Sequence, residues 1–117
     1  MIDLLKSLID WQAQPRRTVE AGSAIIASGE PTGLIFCLEE GQARDGDGLG
    51  YEAGDLLLVC EALALETYRT PVEATEACRL VAIRQNVLEN GLKRGGKLVW
   101  PLSRSIASDI TRRRLAG

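Results

Sequence analysis

Residues 54–74 read GDLLLVCEALALETYRTPVEA, and the order of residue types in this stretch governs how the rest of the chain is read. An apolar run at 56–60 ends on an acid, Glu61. One turn of good helix formers follows, Ala62-Leu63-Ala64-Leu65, and then Arg69-Thr70 and a second β-prone segment. The start of a helix leaves backbone N–H groups without intrahelical acceptors and carries the positive end of the helix dipole, which together suit an anion. An arginine soon afterwards adds a forked, always charged donor that fits a phosphate. The expectation is a strand at 55–59 and a short helix beginning near Ala62. The amides of Ala62 and Leu63 would then face an anion, with Arg69 and Thr70 closing over it.

On both sides of this stretch glycine cuts the chain into short β-prone pieces. Strands are expected at 17–20, 24–27, 34–39, 42–44, 49–51, 72–75 and 79–84, separated by turn signals such as Ala21-Gly22, Glu40-Gly41 and Ala53-Gly54. Asp45-Gly46-Asp47-Gly48 reads as a tight hairpin turn, because it lacks the further oxygen ligands and flanking helices of a calcium loop. Strands this short and evenly spaced suggest an antiparallel β-roll of jelly-roll or cupin-like type, not a parallel α/β sheet. Helical periodicity is confined to the ends. Residues 2–13 place Ile2, Leu5 and Ile9 on one face, and Pro15 ends that helix. Asn86 with Glu89 reads as a capping box opening a helix over 87–93, and Pro101 suits the first turn of another. The layout is a single domain with an N-terminal helix (1–15), a β-roll (16–84) and C-terminal helices (85–117).

Composition removes several function classes. The chain has no histidine, so neither a Ser-His-Asp nor a Cys-His pair can form, and histidine-ligated metal sites are excluded. No metal site is expected. A net charge of −2 supplies no global basic field for nucleic acid, and the few aromatics are scattered instead of forming a stacking platform. Arg104 and residues 112–114 read as the basic, solvated end of a helix. Cys37, Cys60 and Cys78 have no metal-type spacing and sit among apolar neighbours, as buried small hydrophobes in a reducing cytoplasm would. No segment is apolar enough for long enough to span a membrane.

The sequence resembles the cyclic-nucleotide-binding domain family. The resemblance rests on Gly22 with Ala24-Ile25-Ile26, on Gly29-Glu30, on the strand and turn at 34–41, on Gly54-Asp55, and on Val59-Cys60-Glu61 where the family has Phe-Gly-Glu. It covers roughly residues 16–92 and implies a β-roll with a phosphate-binding cassette. It also implies a carboxylate, Glu61, on a ribose hydroxyl, and cAMP or cGMP as the ligand. No other cofactor is implied. Two positions depart from the family pattern. Cys60 puts a Cβ where glycine allows close backbone approach. The loop to Val72 is short, so alignment backwards from Val72-Glu73-Ala74 places Tyr68, not Arg69, in the phosphate-facing slot.

These readings imply a non-catalytic regulatory or interaction module with lost or altered nucleotide binding. A genuine cyclic-nucleotide sensor is one alternative. Another is a metal-free cupin-like enzyme using Glu39, Glu61 and Glu73. The chain stops at Gly117, leaving no room for a helix-turn-helix reader, so no nucleic-acid partner is expected. Leu98, Leu102, Ile106 and Ile110 recur at helical spacing and offer a homodimer face, and a separate effector protein could receive the output.

Overall fold

The two longest apolar β-prone runs pair with each other and form the spine of the fold. In the computed structural model, which describes residues 5–7, 9–94, 106 and 110, β3 (Leu34–Glu40) lies antiparallel to β7 (Cys78–Arg84), with Cys37 opposite Val81. On its other side β7 pairs with β1 (Arg16–Val19), giving a three-stranded sheet of order β1-β7-β3. A second sheet has the order β2-β6-β4-β5, from Ala24–Ile26, Val72–Ala74, Gln42–Asp45 and Gly50–Glu52. All the pairings are antiparallel. This is the expected β-roll.

Burial follows the residue pattern. Val72 and Ala74 are buried while Glu73 between them is exposed, the alternation of a strand with one wet face. In β3 and β7, runs of consecutive buried residues (residues 35–38 and 80–83) mean that both faces of their sheet are covered. The N-terminal segment contributes Leu5, Ile9 and Trp11 to the core. The β3–β4 turn requires glycine at Gly41, which has φ +96°. A Cβ there would lie 2.3 Å from the Ala77 carbonyl oxygen.

Three expectations are corrected. The apolar run at 55–59 is not a strand: Leu56 makes one isolated bridge to Cys37, and Leu58 then turns into the left-handed region (φ 47°, ψ 46°). A run of consecutive apolar residues carries no period, and a buried crossing satisfies it as well as a strand does. The N-terminal helix does not run through to residue 13. Asp10 interrupts it as the cap of a 3-10 turn, Trp11–Ala13, accepting from the Ala13 amide at 3.3 Å. Finally, the helix after β7 begins directly at Gln85 and runs to Arg94, so Asn86 is its second residue and not its cap.

Glu39 ties the N-terminal segment to the roll. Its carboxylate accepts from Trp11 Nε1 at 3.2 Å and Arg79 Nε at 2.8 Å, and pairs with Arg16 at 3.5 Å. Burial alone would raise this carboxyl, but the hydrogen bonds from Trp11 and Arg79 and the Arg16 charge outweigh it and hold the group below its ordinary 4.5.

Candidate functional site: the segment 58–71

The crossing at 55–58 delivers the chain into α1 (Val59–Ala64), whose Val59 and Ala62 are buried while Leu63 is 37% exposed. The helix starts three residues earlier than the sequence suggests. The Ala62 amide donates to the Leu58 carbonyl at 2.9 Å, and Leu63 lies one position further inside the helix. The amides offered for an anion are therefore engaged in helix formation, and the N-terminal amides belong to residues 59–61. Cys60 is half-buried, with its Sγ 3.9 Å from the Ile106 carbonyl oxygen.

Beyond α1 the loop docks on the segment around Gly29–Leu34. Thr32 donates through its amide to the Glu66 carbonyl (3.0 Å) and through its hydroxyl to the Leu65 carbonyl (2.5 Å). Tyr68 exchanges backbone bonds with this segment: its amide donates to Glu30 and its carbonyl accepts from Gly29. The Tyr68 ring is 1% exposed, and its hydroxyl donates to the Leu34 carbonyl at 2.8 Å. Burial, with the Glu61 and Glu30 charges nearby, drives the phenol above its ordinary 10.0. Tyr68 is thus a core residue, not one facing a phosphate. At the far end, the Pro71 carbonyl accepts from Gly46 at 2.9 Å.

Between those anchors stand Arg69 and Thr70, and both are held by Glu61. One carboxylate oxygen accepts from the Arg69 amide at 2.7 Å and the Thr70 amide at 3.1 Å. The other accepts from the Thr70 hydroxyl at 2.5 Å. These are short, charge-assisted bonds. The structure therefore does bring Glu61, Arg69 and Thr70 together, but through the backbone of Arg69. Its side chain is exposed, and among the described residues its guanidinium has no ion pair.

The remaining sequence expectations divide. Ile106 is partly buried against the core and Ile110 is 44% exposed, while Leu98, Leu102, Arg104 and residues 112–114 lie outside the described residues. Of the three carboxylates weighed for an enzyme, Glu73 is exposed on β6 and Glu39 belongs to the clasp on Trp11, so neither joins Glu61. Cys37 and Cys78 are buried, and burial pushes the Cys37 thiol up to about 12.

No family model and no curated protein matches the chain. Solved structures do. FixK2 from Bradyrhizobium japonicum superposes with a TM-score of 0.71 at 15% identity, over 87% of this chain and 55% of that one. CLP from Xanthomonas campestris, described as a c-di-GMP responsive global regulator, gives 0.76 at 13% identity, over 99% and 60%. PKAR CBD2 with Sp-2Cl-cAMPS bound gives 0.71 at 18%, over 94% and 80%. The chain has the fold of a cyclic nucleotide-binding domain. It spans between half and two thirds of the length of FixK2 and CLP. No described helix is long and apolar enough to cross a membrane.

Two buried polar residues of the fold have no signature in the sequence. Asp45 is 4% exposed, and its carboxylate accepts from the Asp47 and Leu49 amides and from the Tyr51 hydroxyl at 2.8 Å. The Asp-Gly signal finds the hairpin but not the buried tyrosine six residues on. Thr32 carried no signal at all, since its partners lie more than thirty residues away.

Proposed function

We propose that the chain is a non-catalytic regulatory or interaction module on the cyclic nucleotide-binding fold, with nucleotide binding at its cassette lost or altered. One observation carries this reading: the Glu61 carboxylate already accepts three hydrogen bonds from Arg69 and Thr70. Three of its roughly four acceptor sites are thereby used, so a ribose hydroxyl would have to compete with these internal donors for the carboxylate. The burial of Tyr68 and the side chain at Cys60 support the same view, because neither supplies charge to a phosphate. Calorimetric titration with cAMP, cGMP and c-di-GMP tests it. The expected result is no heat at high concentration and no thermal stabilisation by any of the three.

The alternative reading, a working sensor, draws on the exposed guanidinium of Arg69, which has no ion pair among the described residues. Micromolar binding that weakens in both Glu61→Ala and Arg69→Ala would establish it and overturn the first. A homodimer through the C-terminal segment belongs to the same proposal, with Ile110 as its exposed apolar residue. Light scattering should then give a dimer mass that Ile110→Glu reduces to a monomer.

A further inference from the structure

The polar contacts of the loop after α1 fall into three groups. Residues 65–68 are tied to the Gly29–Leu34 segment by the bonds of Thr32, Glu30 and Gly29 described above. Pro71 is tied to the β4–β5 hairpin through Gly46. Among the described residues, the amides of Arg69 and Thr70, between these anchors, have one acceptor group, the carboxylate of Glu61 eight and nine residues back. The Thr70 hydroxyl reinforces it at 2.5 Å. Two amides and a hydroxyl converging on one carboxylate is the arrangement expected around a bound anion, and here the anion is the chain's own.

We propose that Glu61 is an internal latch: its carboxylate takes the place of a bound anion and holds the Arg69–Thr70 segment against α1. Thr70 is its positioning residue, because its hydroxyl occupies the second carboxylate oxygen and fixes the carboxylate's orientation. The segment is then held in one conformation by groups of the same chain, whose encounter is intramolecular and independent of any ligand concentration. The latch goes beyond the loss of nucleotide binding, since it concerns what fixes the conformation of the Arg69–Thr70 segment.

Amide hydrogen exchange on the ligand-free protein tests it, read residue by residue by NMR. In the wild type the Arg69 and Thr70 amides should be protected. In Glu61→Ala both should exchange about tenfold faster or more. The Tyr68 amide, bonded to Glu30, and the Ala82 amide, bonded to Pro15, should keep their wild-type rates. Glu61→Gln retains a carbonyl oxygen and should restore part of the protection, and Thr70→Val should fall between wild type and Glu61→Ala. Unprotected Arg69 and Thr70 amides in the wild type would overturn the proposal. So would unchanged rates in Glu61→Ala, or a loss there that extends equally to Tyr68 and Ala82. Because no nucleotide enters this experiment, its outcome is separate from that of the titration.

Discussion

Tyr68→Phe separates the two places the sequence allowed for this side chain. In the structure the hydroxyl donates to the Leu34 carbonyl at 2.8 Å from a ring that is 1% exposed. Phenylalanine keeps the ring and opens no large cavity, so the cost is the hydrogen bond and an acceptor left short of a donor, about 1–2 kcal/mol. For a chain of this length that loss lowers Tm by about 4–8 °C. Urea unfolding followed by circular dichroism and a thermal scan measure both quantities. The high-pH limb gives a second readout. Burial raises the Tyr68 pKa, so as pH climbs above 10 the unfolded chain loses the phenolic proton while the folded chain keeps it. The unfolded state then binds fewer protons, and wild-type stability should fall by up to about 1.4 kcal/mol per pH unit from this group. Tyr68→Phe should lose that part of the slope. Unchanged midpoints at neutral pH together with an unchanged alkaline limb would refute the placement of Tyr68 in the core.

Gly41→Ala should destabilise the fold by about 2–4 kcal/mol in urea, because it adds left-handed backbone strain to a contact 2.3 Å from the Ala77 carbonyl oxygen. Glu39 has a depressed pKa, so its contribution is complete above 4.5 and is lost as pH falls through the lower, folded-state value. Glu39→Gln should cost about 1 kcal/mol at pH 7 and should flatten the acid limb of a stability–pH curve below 4.5. The Cys37 thiol, raised by burial from 9.0 to about 12, should resist a thiol-specific reagent in the folded state and label at the rate of unfolding. Above pH 9 the unfolded chain ionises this thiol first, so Cys37→Ser should reduce the alkaline loss of stability.

The β-roll was legible because its signals are local. Glycine at Gly22, Gly41 and Gly54 marks turns that need positive φ, and all three have it. The segment 58–71 was legible as a candidate stretch but not as a geometry, for three physical reasons. A run of five apolar residues has no period, so Leu58 reversing the chain looked like the middle of a strand. A helix start shifted from residue 62 to residue 59 moves the N-terminal amides to a different turn without changing a single helix-forming residue. Tyr68 and Arg69 are adjacent, and only the tertiary bond from one of them to Leu34 decides which side chain is buried. The same reasoning bears on Glu61. An acid at that position fits both a ribose and a latch, and what distinguishes them is a threonine nine residues on whose hydroxyl can reach back. Its place beside Arg69 marks Thr70 as a candidate ligand group. It remains in the site, but its hydroxyl and amide point at Glu61, and that donor set turns a residue expected to receive a ligand into one already occupied.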